Sequence, residues 1–369
     1  MTTPHSTIAP RPGVLDIAPY VGGESHAPGA NRVIKLSANE NPYGPSPEAV
    51  AAYRAEADRL ADYPDGGAER LRRAIAAAEG LEAGRIVCGA GSDELISLLC
   101  QAYAGPGDTV VHSRHGFLMY AISAKAAGAT PAAAPERELT ADVDALLAAC
   151  DARTRLVFLA NPNNPTGTLL PAAEVARLAQ GLPERALLVL DAAYAEYVED
   201  PDYEPGARLV AERDNVVMIR TFSKIHGLAA LRLGWAYGPE HVVDVLNRVR
   251  GPFNVNAPAI AAGAAAVADR EHVDSSAARN AAWRGWLARR LAAAGVSATA
   301  SQGNFLLASF GEEGPASAAA ADAFLKGRGL IVRRMGGYGL PGALRITVGD
   351  EAACRAVADA VDAFRAAQA

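Results

Sequence analysis

"IRTFSKIHGLAALRLGW", residues 219–235, halts an apolar, strand-like run at a Ser-Lys pair and places Arg232 eight residues after Lys224. A lysine at the edge of a core needs a reason, because a buried charge without a partner is unfavourable. In isolation Lys224 reads as a solvated surface lysine. Its neighbourhood along the chain changes that reading. The run leading to it, "NVVMIRTFSK" (215–224), follows four similar ones: "RIVCGAG" (85–91), "DTVVHS" (108–113), "TRLVFLANP" (154–162) and "RALLVLDAAY" (185–194). Helical segments separate them: "SPEAVAAYRAEADRLADY" opened by Ser46 and Pro47, "SDELISLLCQAYAG" with a Ser92 cap, "FLMYAISAKAAGA" and "LPAAEVARLAQGL". Short, continuously apolar strands alternating with helices predict an α/β fold whose mainly parallel sheet is covered on both faces.

Working outward, the first 35 residues are Pro/Gly-rich and aperiodic, an arm over 1–35 before a large domain over 36–252. Past residue 252 long Ala-rich helices precede short strands ("NFLLASF", "LIVRRM", "LRITVG") and a closing helix. That texture predicts a smaller α+β domain over 253–369. A net charge of −6 and a pI near 5.7 leave no basic footprint for nucleic acid or an anionic membrane, so a small molecule is the expected partner. No run approaches the roughly 20 apolar residues of a membrane span. The opening "MTTPHSTIAPRPG" lacks a signal-peptide pattern, and Cys88, Cys100, Cys150 and Cys354 show no disulfide or C-x-x-C spacing. Cytoplasm is the expected compartment.

Ligands of such sheets bind at the carboxyl ends of strands, and four strand ends here carry chemistry. "CGAGSDE" places Gly89, Gly91, Ser92 and Asp93 at a helix start, where backbone N–H groups can cradle a phosphate. No P-loop or dinucleotide fingerprint occurs. "ANPNNPTG" is a rigid, amide-rich loop with Asn161 first after its strand. "LLVLDAAY" ends on Asp191, with Tyr194 three residues later. That carboxylate could cap a helix, bind a metal or pair with a protonated ring nitrogen, and the seven His show no ligand spacing that favours metal. Lys224 in a partly apolar site is a ready Schiff-base former, with Ser223 and Arg232 beside it for a phosphate. One cofactor, pyridoxal phosphate, uses all four at once through its aldehyde, ring nitrogen, phenolic oxygen and phosphate.

At this point the chain resembles the fold-type-I, pyridoxal-phosphate-dependent aminotransferases, and among them the histidinol-phosphate aminotransferases. "LSANENPYGPSP", "YPDGGAERLRRAIA", "GAGSDELI", "NPNNPTG", "DAAYAEY", "TFSKIHGLAALRLGW" and "LRITVG" occur in the family's order nearly end to end. The resemblance implies that Lys224 holds the cofactor and shuttles the proton, that Asp191 pairs with the pyridine nitrogen, and that Tyr194 and Asn161 bond its phenolic oxygen. It implies a phosphate cradle of Ser92, Asp93, Ser223 and Arg232, joined by Tyr63 from a second subunit of a homodimer, and ring stacking by Phe117. Arg345 would clamp the substrate carboxylate, with Arg333 and Tyr20 at the substrate's far, phosphate end. "NENPYGPSP" would lie at the site or the interface.

The implied activity is ping-pong transamination between glutamate and imidazole acetol phosphate, giving 2-oxoglutarate and histidinol phosphate in histidine biosynthesis. An aromatic (Phe/Tyr) aminotransferase, a phospho-amino-acid decarboxylase and a catalytically silent cofactor-binding protein are the alternatives. The chain departs from the family's usual Pro-Thr-Tyr with His115-Gly116-Phe117, which loses a hydroxyl beside the ring and could widen acceptance toward aromatic substrates. It has Ala192 where an acidic residue is common, and it places His226 after Lys224 with no role assigned.

Overall fold

The computed structural model describes residues 10–20, 22–26 and 32–368. The rest of the expected arm, residues 1–9, 21 and 27–31, lies outside the described residues. Where the arm ends, β1 (Ile34–Lys35) pairs in parallel with a strand at Leu330–Ile331, tying the entry of the chain to its C-terminal part.

Two helices follow, α1 (Pro47–Ala55) and α2 (Glu69–Glu79). Ser46 caps α1 as expected, its Oγ accepting the Ala49 N–H at 3.1 Å, but the helix stops at Ala55 and gives way to a 3-10 turn, Ala57–Arg59. Next come β2 (Ile86–Gly89), α3 (Ser92–Tyr103), β3 (Thr109–Ser113), α4 (Met119–Ala127) and β4 (Thr130–Ala134). A small antiparallel hairpin, β5 (Glu136–Arg137) and β6 (Thr140–Ala141), leads to α5 (Val143–Ala148), β7 (Thr154–Ala160), α6 (Ala172–Gly181) and β8 (Leu187–Asp191). Then α7 (Ala207–Glu212), β9 (Val216–Thr221), β10 (Gly234–Tyr237) and α8 (Glu240–Val249) complete the sheet region. The seven-stranded sheet runs β2-β10-β9-β8-β7-β3-β4, parallel except for β10, which is antiparallel to both neighbours.

The pleat explains why these strands are continuously apolar. Val87, Val110, Phe158, Val189 and Val217 pack toward α3, α4 and α8, while Cys88, Val111, Val157, Leu188 and Met218 pack against the helices of the opposite face. Neither set meets water.

The second part contains α9 (Ala257–Ala268), α10 (Arg270–Ala293), β11 (Ser297–Ala298), β12 (Phe305–Ser309), α11 (Ala318–Lys326), β13 (Leu330–Ile331), β14 (Arg333–Arg334), β15 (Ala343–Thr347) and α12 (Glu351–Ala366). Its four-stranded antiparallel sheet, β11-β12-β15-β14, shares a core with α10, α11 and α12 built on Leu287, Leu306, Leu325, Ile346 and Val361. The sequence reading begins the second unit at residue 253, yet α9 buries Ala259, Ile260, Ala262 and Val267 in the first core, against α1 and α2. Its small side chains permit that close approach, so the change of core falls at α10.

Candidate active site

The strand ends converge as the topology requires. Ala160 of β7 is in register with Asp191 of β8, and Asp191 with Ile219 of β9, so three adjacent strands deliver their last residues to one cavity of about 390 Å3. Lys224, Asp191, Tyr194, Ser92, Asp93, Phe117, Ser223, Arg232, Arg345, Arg333 and Tyr20 all line it. Asn161 and Tyr63 do not.

Asp191 is 6% exposed and receives only neutral donors: Tyr120 Oη at 2.7 Å on Oδ2 and the Ala193 N–H at 3.2 Å on Oδ1. Burial raises its pKa to about 6, against the pull of the Tyr120 hydrogen bond. β9 ends at Thr221, and Lys224 stands in the following turn, closed by the Gly227 N–H on the Lys224 carbonyl at 3.0 Å. Lys224 Nζ donates to the Ala38 carbonyl at 3.2 Å and lies 5.7 Å from the centre of the Tyr194 ring. Burial, reinforced by the charge of Arg345, lowers its pKa to about 8. The result is an amine reactive toward carbonyls near neutral pH. Tyr194 accepts a 2.9 Å hydrogen bond from Asn39 Nδ2, and burial pushes its phenol up to about 12.

The anion cradle is built on backbone. Gly91, at φ +88°, rather than Ser92 occupies the cap of α3, and having no side chain it leaves the first-turn N–H groups without a side-chain cap of its own. Glu94 instead accepts the Ala90 N–H at 2.6 Å. Arg232 closes the cradle from a left-handed position (φ +52°), with Nη1 3.3 Å from Ser223 Oγ and Nη2 3.2 Å from Asp93 Oδ2. The φ of Gly91 strains any other residue, and a Cβ there would stand 2.5 Å from Arg232 Nη2, so the guanidinium would have to shift.

Opposite the cradle, Arg345 of β15 is 3% exposed. Its Nη1 donates to Asn164 Oδ1 at 2.6 Å and its Nη2 to the Ser37 carbonyl at 2.9 Å, while the buried Nε has no hydrogen-bond partner among the described residues. Arg333, in register with Arg345 on β14, donates to Tyr20 Oη at 3.3 Å. The two guanidinium groups can meet an acidic group near the lysine and a second anion further out.

Two expected residues fall elsewhere. Both arms of the Asn161 amide are taken by the backbone of Leu170, at 2.9 Å each, so Asn161 braces its own loop. Asn164, three residues on, faces the cavity instead. Position after a strand did not distinguish them; the fold of the loop does. Tyr63 is 82% exposed and stacks on Phe253 with ring centres 4.7 Å apart, outside the cavity of its own chain. His226 is buried behind the cavity, 3.7 Å from Glu196, and burial lowers its pKa to about 4. Sequence reasoning missed Tyr120, Asn164 and Tyr338. Asn39 falls in "NENPYGPSP", the segment expected at the site or the interface, and it lines the cavity. Among the described residues no group of three or more His, Cys, Asp or Glu could hold a metal ion, and no helix is long and apolar enough to cross a membrane.

The family model of aminotransferase class I and II matches residues 31–361. The histidinol-phosphate aminotransferase of Dinoroseobacter shibae is 61% identical over 97% of this chain and 98% of its own. That of Rhodospirillum rubrum is 57% identical over 97% of each. The crystal structure of histidinol-phosphate aminotransferase from Sinorhizobium meliloti, in complex with pyridoxal-5'-phosphate, superposes with a TM-score of 0.91 at 29% identity, covering 99% of this chain and all of that one.

Proposed function

The chain belongs to the class I and II aminotransferases, and on that premise we propose that it is a pyridoxal-phosphate-dependent histidinol-phosphate aminotransferase, exchanging an amino group between histidinol phosphate and 2-oxoglutarate. The observation that carries this reading is the meeting, in one cavity, of Lys224 with its lowered pKa, Asp191 with hydrogen bonds from Tyr120 and the Ala193 N–H, and the paired arginines of β14 and β15.

The residues fit the cofactor. Asp191 is a buried carboxylate supplied with neutral donors only, which suits a protonated ring nitrogen. The Gly91–Asp93 turn with Arg232 and Ser223 suits a phosphate, and Tyr194 suits a phenolic oxygen. Bound there, pyridoxal phosphate supplies an aldehyde that condenses with amines and a ring that draws electrons from the adjoining carbon. Lys224 would hold the aldehyde, and its amine, with a pKa lowered to about 8, would be the group that moves the proton at the substrate carbon. Asp191 would face the ring nitrogen and favour its protonated form, and Tyr120 would hold Asp191 oriented and ionised. Arg345 grips the carboxylate of glutamate, its fork already fixed by Asn164 and Ser37. Arg333 and Tyr20 receive the phosphate of the longer substrate.

The expected assembly is a cytoplasmic homodimer. The Tyr63–Phe253 pair, exposed and stacked, is the surface on which a second copy would sit, with Tyr63 reaching toward that copy's cradle. The deciding experiment compares kcat/KM of histidinol phosphate, phenylalanine and tyrosine as donors to 2-oxoglutarate. A preference of 100-fold or more for histidinol phosphate, about 2.7 kcal/mol in transition-state binding, is expected. Equal use of the aromatic donors would replace the reading with a broad aromatic aminotransferase.

A further inference from the structure

We propose that the β5–β6 hairpin, pinned by the His115–Glu136 pair and tipped by Leu139, is a specificity brace. It sets the spacing between the loop that carries Phe117 and the sheet face that carries Arg333 and Arg345. The proposal rests on the reading above only in that the site takes one short and one long substrate.

The His115-Gly116-Phe117 departure has its counterpart in the hairpin. Glu136, with a side chain 3% exposed, engages His115 twice: the backbone N–H donates to Oε1 at 2.9 Å, and Nδ1 lies 2.7 Å from Oε2. Between the strands, Glu138 and Leu139 both adopt positive φ, 50° and 62°, a conformation unfavourable for side chains of their size. That strain has a structural return. Leu139 is turned inward to pack, with Leu118, on the cluster of Leu307, Met335, Tyr338 and Ala343.

Leu307 and Ala343 belong to the sheet face that holds the arginines, and Met335 and Tyr338 lie in the turn that follows β14. Leu307, Arg345 and Arg333 are cross-strand partners on β12, β15 and β14, and Ala343 lies two residues from Arg345 on the same pleat face. Leu118 is the residue after Phe117. Leu139 therefore fills the joint between the ring-stacking loop and the substrate-binding sheet. Two further bonds fasten it: Thr168 Oγ1 donates to the Leu139 carbonyl at 2.8 Å, and Asn163 Nδ2 reaches the His115 carbonyl at 3.3 Å. Both donors come from the segment that presents Asn164 to Arg345. Neither Leu139 nor Glu136 lines the cavity, so both are positioning residues.

On the proposed reading glutamate would end near Arg345, whereas the long substrate would extend to Arg333 and Tyr20. A brace on that far end must act on the long half-reaction and leave the short one nearly unchanged. The test measures each half-reaction of the holoenzyme separately, by single-turnover absorbance, for Leu139→Ala and Glu136→Gln, with Leu139→Met as conservative rescue and thermal melting as the control for folding. For the two weakening variants, the maximal rate divided by Kd for the histidinol phosphate half-reaction should fall at least 10-fold, mainly through Kd, while the glutamate half-reaction changes less than 2-fold. Leu139→Met should recover most of the loss. Equal losses in both halves, or none in either, would overturn the brace; Glu136→Gln keeps the question decidable if Leu139→Ala does not fold. If the wild type prefers an aromatic donor, the functional reading fails, yet the brace is still judged by the same ratio with that donor.

Discussion

Tyr120 Oη donates a 2.7 Å hydrogen bond to Asp191 Oδ2, joining the start of α4 to the end of β8 in the wall of the cavity. Tyr120 is 1% exposed, so this hydroxyl is committed to the carboxylate, yet burial still holds Asp191 near 6. A folded-state value above the ordinary 3.8 means the acid stabilises the fold only when protonated. That contribution is complete below pH 3.8 and lost as the pH rises through about 6. The rise from 3.8 to about 6 corresponds to about 3 kcal/mol of stability that the cofactor-free protein lacks at neutral pH, where the buried acid is ionised. Apo Asp191→Asn should therefore melt above apo wild type at pH 7.5, and the gap should close near pH 3.5. The holo variant should lose at least 100-fold in kcat. Identical apo melting at pH 7.5 would remove the argument. Tyr120→Phe should act oppositely on stability, destabilising the apoprotein by about 1 kcal/mol.

Lys224 gives a second pH signature. Its pKa is lowered by burial and, next, by the Arg345 charge. The rate at which apoprotein binds pyridoxal phosphate covalently should rise with pH and level off above about 8, followed by stopped-flow absorbance. Arg345→Gln removes the second cause and should move the inflection upward. A rate still climbing toward 10.5 in the wild type would show that the amine is not depressed.

Arg345 itself should resist conservative exchange. Its fork is set by two protein acceptors on Nη1 and Nη2, and Nε is left over in a buried place. Lysine offers a point charge with no fork. Arg345→Lys should raise KM for glutamate 30-fold or more, roughly 2 kcal/mol, whereas Asn164→Ala should raise it about 10-fold through looser aim. Steady-state kinetics with glutamate as varied donor decide this, and an unchanged KM in Arg345→Lys would displace Arg345 from the carboxylate site.

These particulars show what was legible in the sequence. Strand ends and helix starts follow from local pattern, so Lys224, Asp191, Ser92 and Arg232 could be assigned to one site before any geometry was known. β10 was harder: "GWAY" is short and joins the sheet only through tertiary pairing with β2 and β9. Choosing between Asn161 and Asn164 required the path of the loop, since the same amide can serve a backbone or a cavity. Tyr120 looks like one more apolar residue of an amphipathic helix until β8 places a carboxylate over it. Helix α9 reads as a new texture because it is Ala-rich, but composition cannot say which core a helix joins.

The cradle supplies the last prediction. Gly234 opens β10, and a Cβ there would stand 2.5 Å from Ser92 N and 2.7 Å from Gly91 C. Both are backbone atoms, so no side-chain rotation relieves the clash. Alanine must push the start of α3, and with it the first-turn N–H groups, away from the strand. Overpacking of this kind destabilises by about 1–3 kcal/mol, but the movement is directed at the phosphate site. Gly234→Ala should lower the melting temperature of the apoprotein and weaken pyridoxal phosphate binding by about 100-fold, roughly 2.7 kcal/mol, as read by equilibrium dialysis. Gly84→Ala, where a Cβ meets nothing within 4 Å, is the control and should leave affinity unchanged. If Gly234→Ala melts lower yet binds the cofactor as tightly as wild type, the glycine serves packing alone and the cradle does not depend on the contact between β10 and α3.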